Sequence, residues 1–266
     1  MKCNLFSFIK SITPPIIVEW IAGWYFGWNR SYASWEKAKQ HASGYEDELI
    51  LDRVKNSLLK VKNGQGAYER SSVLFDHIEY AYPLLASLMW IATQKNGRLN
   101  VLDFGGALGT TYFQNKYFLD SLQHVRWNIV EQPHFVKCGQ QYFQDEQLHY
   151  YETIDDCLNF QKSNVIILSG VLQYLESPYI MLESVFQKNF DYILIDKIPL
   201  SQAKKDRVVI QHVPKHIYPA TIPIWFLNKS NFTKLFDQYE QIFEFDAIDG
   251  KLTRDVKSYG FLFKRK

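Results

Sequence analysis

The sequence predicts an α/β protein: a mostly parallel sheet of seven short strands, the last antiparallel, behind an N-terminal helical lobe. Three observations carry this. From Leu99 onward, short β-branched runs alternate with helical stretches, the pattern of a parallel sheet covered on both faces. The first 95 residues are mostly helical in pattern and show no clear strand. A glycine-rich turn, Val101-Leu-Asp-Phe-Gly-Gly-Ala-Leu-Gly109, stands between the first strand and the first helix of the alternating part. The chain therefore divides into a lobe over 1–95 and a sheet domain over 96–266.

Pro14-Pro15 closes the first segment and opens a second, since proline suits a first helical turn. Trp20, Trp24 and Trp28 recur at spacing four, so one helical face would carry all three. Ser34 caps a short helix over 34–42. Ile50, Leu51, Val54, Leu58 and Leu59 follow a 3.6 period over 45–61, and Asn63-Gly64-Gln65-Gly66 is a loop. Residues 75–93 form a long apolar helical stretch interrupted by Pro83. Strands then fall at 101–104, 127–130, 148–151, 165–168 and 192–195. Helices alternate with them at 110–122, 134–143, 154–158 and 177–187. The tail gives a helix at 231–239 and strands at 241–245 and 259–263, which pair antiparallel beside the parallel sheet.

Composition excludes several classes. With 266 residues the chain buries a core without disulfides or a structural metal. A net charge of +2 argues against a dedicated nucleic-acid binder. Cys3, Cys138 and Cys157 form neither a disulfide framework nor a zinc pattern and suit a reducing, cytoplasmic compartment. The apolar run over 16–28 contains Glu19 and falls short of the roughly 20 residues a spanning helix needs. No signal peptide is read, and membrane contact is limited to an amphipathic first helix resting on a surface. Aromatic residues make up 16% of the chain, and nine of them fall within the first 35 residues, a position suited to packing the lobe onto the sheet.

The glycine turn is the most informative segment. A turn here lets a ligand approach the backbone closely, which glycine permits. The dinucleotide pattern G-x-G-x-x-G fails from either start, because Ala107 or Leu108 stands at its third position. No Gly-Lys-Ser/Thr phosphate loop is present. What fits is an acidic residue at a strand end followed by spaced small residues, Asp103-x-Gly105-x-Ala107-x-Gly109. Glu131 ends the next strand, and Ser169-Gly170 ends the fourth.

This arrangement resembles class I S-adenosylmethionine-dependent methyltransferases, with their Rossmann-like seven-stranded sheet. The resemblance implies S-adenosylmethionine as cofactor and S-adenosylhomocysteine as product. It implies that the loop residues Asp103, Phe104, Gly105, Gly106, Ala107 and Gly109 pack against the methionine part and ribose. It implies that Glu131, with Gln132, receives the ribose hydroxyls, and that Ser169 and Gly170 touch the cofactor. The chain is also similar, over most of its length, to a narrower group: methyltransferases encoded among bacterial surface-polysaccharide genes. Ser34-Trp35, Gly44-Tyr45-Glu46, Tyr68-Glu69-Arg70, Val130-Glu-Gln-Pro133, Ser169-Gly-Val-Leu-Gln-Tyr-Leu-Glu-Ser-Pro178 and Ile195-Asp196 carry that likeness, with the glycine turn. Two positions depart from the group: Ser71 stands where Asp is expected, and Lys197-Ile198 where Arg-Thr is expected. The implied reaction is methyl transfer to a sugar or glycan precursor.

Residues for that chemistry follow. His212 and His216 are the leading base candidates, on a stretch expected to run past the carboxyl edge of the sheet, where ligands bind. Their spacing of four is broken by Pro214, so no metal pair is read. Asp196 ends the fifth strand and is a further base or orienting residue; its competing role is an ion pair with Lys197. Tyr68 and Arg70 would close the cofactor site from the lobe, Arg70 meeting the methionine carboxylate or else pairing with Glu69 or Asp76. Tyr151 and Glu152 would flank the adenine, and Gln173 and Tyr174 would face the substrate. Two other functions compete: a nicotinamide-dependent sugar oxidoreductase or epimerase, and a non-catalytic module that keeps the fold.

Overall fold

The computed structural model describes residues 23–44, 47–70, 72–214, 217 and 220–266. In chain order the elements are β1 (Ser31–Tyr32), α1 (Trp35–Gln40), α2 (Asp47–Lys62), β2 (Tyr68–Arg70), β3 (Val73–Phe75) and α3 (Tyr82–Gln94). Next come β4 (Arg98–Phe104), α4 (Thr110–Leu119), β5 (His124–Val130), α5 (Pro133–Tyr142), β6 (Leu148–Tyr151), α6 (Ile154–Phe160), β7 (Val165–Ser169) and α7 (Pro178–Gln187). The chain ends with β8 (Tyr192–Ser201), β9 (Arg207–His212), β10 (Thr221–Asn228), α8 (Lys229–Lys234), β11 (Tyr239–Lys251) and β12 (Val256–Arg265).

Seven strands make the central sheet in the order β6-β5-β4-β7-β8-β12-β11. The first five pair in parallel, and β12 runs antiparallel between β8 and β11. This is the predicted Rossmann-like α/β architecture. Its cause is visible in the strand sequences. In β7, Val165 and Ile167 enter one core while Ile166 and Leu168 enter the other, so both faces are apolar. One core joins the sheet to α2, α3, α4 and α5 through Leu58, Leu88, Tyr112, Trp127 and Phe135. The other joins it to α6, α7 and α8 through Cys157, Leu182, Phe232 and Phe261. At the open edge, Asp145 bonds both backbone groups of Leu148 and Gln140 Nε2 donates to Tyr150 O at 3.2 Å. The edge of β6 is thereby covered rather than left as a template for another strand.

Several expectations are corrected. The first 95 residues do hold strands, since β2 and β3 form a hairpin and β1 pairs with β9. Strands of two or three residues are set by their partners and leave no alternation to read. Pro83 lies in the first turn of α3, where its missing N–H is harmless, rather than interrupting a helix from residue 75. Trp24 and Trp28 do not share a helical face. Gly27 has φ +78°, the helix ends before it, and Trp28 turns in against Phe226 while Trp24 stays exposed. Trp20 lies outside the described residues.

The stretch after the fifth strand, to which the sequence assigned no element, forms two strands. β9 and β10 pair antiparallel and continue the sheet past the end of β8, where Leu227 meets Leu200 in parallel register. Trp35 stacks on Trp225 across this extension at 5.9 Å. The tail helix ends at Lys234, and Tyr239 already begins β11. Among the described residues no helix is long and apolar enough to cross a membrane.

Candidate active site

The chain enters the sheet at β4, runs outward through β5 and β6, then returns to β7 on the other side. Such a reversal opens a crevice at the carboxyl ends of β4 and β7, where open α/β sheets bind ligands. The glycine turn lies there. Gly105 N donates to Val130 O at 2.9 Å, tying the turn to the end of β5. Gly105, Ala107 and Gly109 all have left-handed backbone, at φ +73°, +50° and +104°. A Cβ on Gly105 would lie 2.6 Å from Val171 Cγ2, and one on Gly106 would lie 2.6 Å from Asp103 Oδ2. The turn thus packs bare backbone against the loop after β7 and against the carboxylate below it.

Asp103, in β4 next to Phe104, is 1% exposed and accepts from Trp127 Nε1 at 3.1 Å. Burial pushes its pKa up to about 7, against the Trp127 hydrogen bond. Glu131 stands one strand over, just past β5; its Oε2 accepts from the Gln132 amide at 2.8 Å and its charge reaches Asp103. Tyr151 ends β6 and accepts from the Glu131 amide through its carbonyl at 3.1 Å. Beyond it a cleft of about 570 Å³ is lined by Pro133, Lys137, Gln140, Tyr151, Glu152 and Asp156.

Ser169 closes β7, its hydroxyl donating to Asp196 Oδ2 at 3.1 Å, and the Gly170 amide donates to Asp196 O at 2.9 Å. Asp196 is 1% exposed, and burial raises its pKa. It does not end the strand. β8 passes through it to Ser201, with an extra residue inserted opposite Tyr259 and Phe261. Lys197 sits in that bulge with φ +56°. Parallel pairing with β7 stops at Asp196, which is what places it on the crevice.

The hairpin β2–β3 forms the opposite wall. Tyr68 is buried, and burial pushes its pKa up to about 12. Glu69 is 1% exposed, accepts from Thr110 Oγ1 and from the Ser72 amide at 2.7 Å, and has its pKa raised by burial. Arg70 pairs with Glu79 at 2.9 Å rather than with Glu69 or Asp76.

Sequence reading gave Glu69 no role of its own. The signal available was only its place between Tyr68 and Arg70 in a short strand, where the residue facing inward depends on α4. Lys197 had been visible as a departure from the group. Its charge lowers the pKa of Glu69, Asp103 and Asp196 alike. Three buried carboxylates and one lysine make a region rich in acceptors. Among the described residues no group of three or more His, Cys, Asp or Glu converges as metal ligands.

His212 lies at the exposed end of β9, opposite Thr221, with its amide donating to Phe26 O at 2.9 Å. A Cβ on Gly27 would fall 2.8 Å from its ring, so it packs on the N-terminal turn. His216 lies outside the described residues. Of the two described base candidates, Asp196 and His212, Asp196 is the one hydrogen-bonded to the end of β7.

No protein-family model and no curated protein matches the chain. Solved structures do. The N-terminal domain of EvdMO1, crystallised in the presence of SAH and D-fucose, is similar with TM-score 0.49 and 11% identity, over 84% of this chain and 98% of that one. The Burkholderia thailandensis 1,6-didemethyltoxoflavin-N1-methyltransferase, with bound 1,6-didemethyltoxoflavin and S-adenosylhomocysteine, is similar with TM-score 0.44 and 12% identity, over 84% and 91%. Magnesium protoporphyrin IX methyltransferase from Synechocystis PCC 6803, with bound SAM, is similar with TM-score 0.45 and 12% identity, over 70% and 79%.

Proposed function

We propose that the chain is an S-adenosylmethionine-dependent methyltransferase that O-methylates a sugar or glycan precursor of surface-polysaccharide synthesis in the cytoplasm. One observation carries the reading. A left-handed turn, Gly105 to Gly109, lies over the buried Asp103 at the crevice between β4 and β7, with Glu131 one strand away. The residues suit the cofactor on their own chemistry. The absence of a Cβ at Gly105 lets the turn close on Val171 and sit tightly at the crevice, and the buried carboxylates favour a cation.

Glu131 and Gln132 would hold the ribose hydroxyls. Asp103, Phe104, Gly105, Gly106, Ala107 and Gly109 would cradle the methionine side. Ser169 and Gly170 would touch the cofactor from β7, and Tyr151 would flank the adenine. Tyr68 and Arg70, from the segment before residue 96, would close the methionine end. Arg70 would then exchange its exposed Glu79 partner for the cofactor carboxylate, an exposed pair being weakly held. When bound, S-adenosylmethionine supplies a methyl group already activated on a sulfonium, which leaves the protein to align the acceptor and manage its proton. Asp196 is the group we assign to that proton. Burial raises the pKa of its carboxylate, which makes it a stronger base than an exposed aspartate. His212 stands second, on the exposed end of β9.

Calorimetry with S-adenosylmethionine tests the reading. Saturable binding is expected, with severe weakening in Asp103→Ala and in Glu131→Ala. Folded protein that takes up no heat at millimolar cofactor overturns it, and a nicotinamide absorbance change with sugar substrates would replace it.

A further inference from the structure

Gln173 has a buried oxygen with nothing to accept. It lies in the single 3-10 turn after β7, Leu172–Tyr174, and is 7% exposed. Its Nε2 donates to Lys197 O at 3.3 Å, while its Oε1 has no hydrogen-bond partner among the described residues. A buried polar atom left without a partner is costly, and in a native structure it calls for an explanation.

Its position supplies one. A Cβ on Gly170 would lie 3.8 Å from Lys197 Cβ and 4.0 Å from Gln173 Nε2, so these three residues pack together between the end of β7 and the bulge of β8. Val171, between them in sequence, closes on Gly105 of the glycine turn. Tyr174 OH donates to Gln211 Oε1 at 2.9 Å and pins the far side of the turn to β9. The amide is therefore held on a fixed segment, bonded to the residue after Asp196 and following the end of β7, which borders the crevice. Around it the imbalance is one-sided. Glu69, Asp103 and Asp196 are buried acceptors, and Lys197 is the cation that acts on all three. A group that satisfied Gln173 Oε1 would have to be a donor.

We propose that Gln173 is a positioning residue for the acceptor substrate, its Oε1 taking a hydrogen bond from a hydroxyl or amino group beside the one that is methylated. This rests on the methyltransferase reading and narrows its substrate to molecules with adjacent O–H or N–H donors, such as a polyol or an amino alcohol. Asp196 deals with the reacting proton; Gln173 fixes the orientation of the carbon skeleton.

The test uses the ¹⁵N-labelled full chain with S-adenosylhomocysteine, followed by nuclear magnetic resonance. The Gly105 amide reports the cofactor product, and the Gln173 side-chain amide pair is assigned by its loss in Gln173→Met. Ethylene glycol and ethanolamine are the donor-bearing probes, and 1,2-dimethoxyethane is a similar skeleton without donors. Saturable shifts of the Gln173 pair with a donor-bearing probe, and none with the ether, are expected. A response to ethanolamine alone identifies an amine-bearing substrate, and a response to both identifies a hydroxyl-bearing one. Gln173→Lys keeps a donor toward Lys197 O and removes the acceptor. Read at the Gly170 amide, it should weaken probe binding about three- to tenfold, the worth of one neutral hydrogen bond, and leave the Gly105 response intact. A Gln173 pair unmoved by both donor probes, or moved equally by the ether, overturns the proposal while the cofactor reading stands. A Gly105 amide that ignores S-adenosylhomocysteine removes the cofactor reading itself, and the proposal with it.

Discussion

The Glu69 carboxylate, on the hairpin before the main sheet, accepts a hydrogen bond from the hydroxyl of Thr110, the first residue of the helix behind the glycine turn. A single buried side chain thus fastens the N-terminal segment to the loop that faces the ligand. Its second oxygen holds the Ser72 amide at 2.7 Å, and Ser72 carries the left-handed turn of the hairpin. Glu69→Ala leaves two half-buried donors without their carboxylate partner. The expected loss is about 1–3 kcal/mol, measured as a lower urea midpoint. Because Thr110→Ala removes one of the same contacts, the two changes should couple by about 0.5 kcal/mol or more in a double-mutant cycle. Strict additivity would mean that the contact does not hold the two parts together.

Asp103 makes stability depend on pH in an unusual direction. Its pKa is raised from 3.8 to about 7, so the folded state keeps a proton that the unfolded chain has already lost. That contribution is complete below pH 3.8 and disappears as pH rises through about 7. The difference of about three units corresponds to roughly 4 kcal/mol. Burial shifts Glu69 and Asp196 in the same direction, which adds to the slope. Urea unfolding at pH 5 and pH 8 should show the wild type clearly weaker at pH 8. Asp103→Asn should lose most of that difference. Cofactor affinity should move oppositely, tightening as Asp103 ionises, because a cation compensates the buried charge.

The legible parts of this molecule are those whose residues alone decide the outcome. β4, β5, β7 and β8 are runs of buried β-branched and aliphatic residues, and a chain buried on both faces must read that way. Asp103 and Glu131 were readable because each directly ends or follows such a run. No strand was read at β9 or β10, and a proline within a run weakens a strand pattern. Pro223 nevertheless sits in β10, opposite Ile210. Asp196 was read as the end of its strand and the bulge after it was not foreseen, since an inserted residue shows only against the register of β12. Gln173 was read as facing the substrate, but its bond to Lys197, 24 positions away, and that of Glu69 to Thr110, 41 away, are reported by no local pattern.

The glycine turn allows backbone strain and collision to be separated. Gly106→Ala places a Cβ 2.6 Å from Asp103 Oδ2 without a left-handed φ, so its cost is collision alone, about 1–3 kcal/mol. Gly105→Ala meets Val171 Cγ2 at 2.6 Å and also has φ +73°, adding about 1–2 kcal/mol. Gly105→Ala should be the more destabilising in thermal unfolding. Val171→Ala should recover part of its loss and none of the loss in Gly106→Ala. Equal recovery in both would show that the turn relaxes as one piece.

Lys197 occupies a bulge with φ +56°, a backbone that glycine adopts without strain. Two effects of Lys197→Gly therefore oppose each other, and pH decides between them. Relief of the left-handed Cβ is worth about 1–2 kcal/mol, less about 0.5–1 kcal/mol for the freer unfolded chain. Against it stands the loss of the charge that steadies Glu69, Asp103 and Asp196. At pH 5 Asp103 is protonated and has little use for the cation, so the variant should match or exceed the wild type in stability. At pH 8 Asp103 is ionised, the buried negative charge is uncompensated, and the variant should fall below the wild type. Chemical denaturation across this range should show the two stability curves crossing. A variant weaker at both pH values would mean that the lysine stem, packed over Gly170, matters more than its charge.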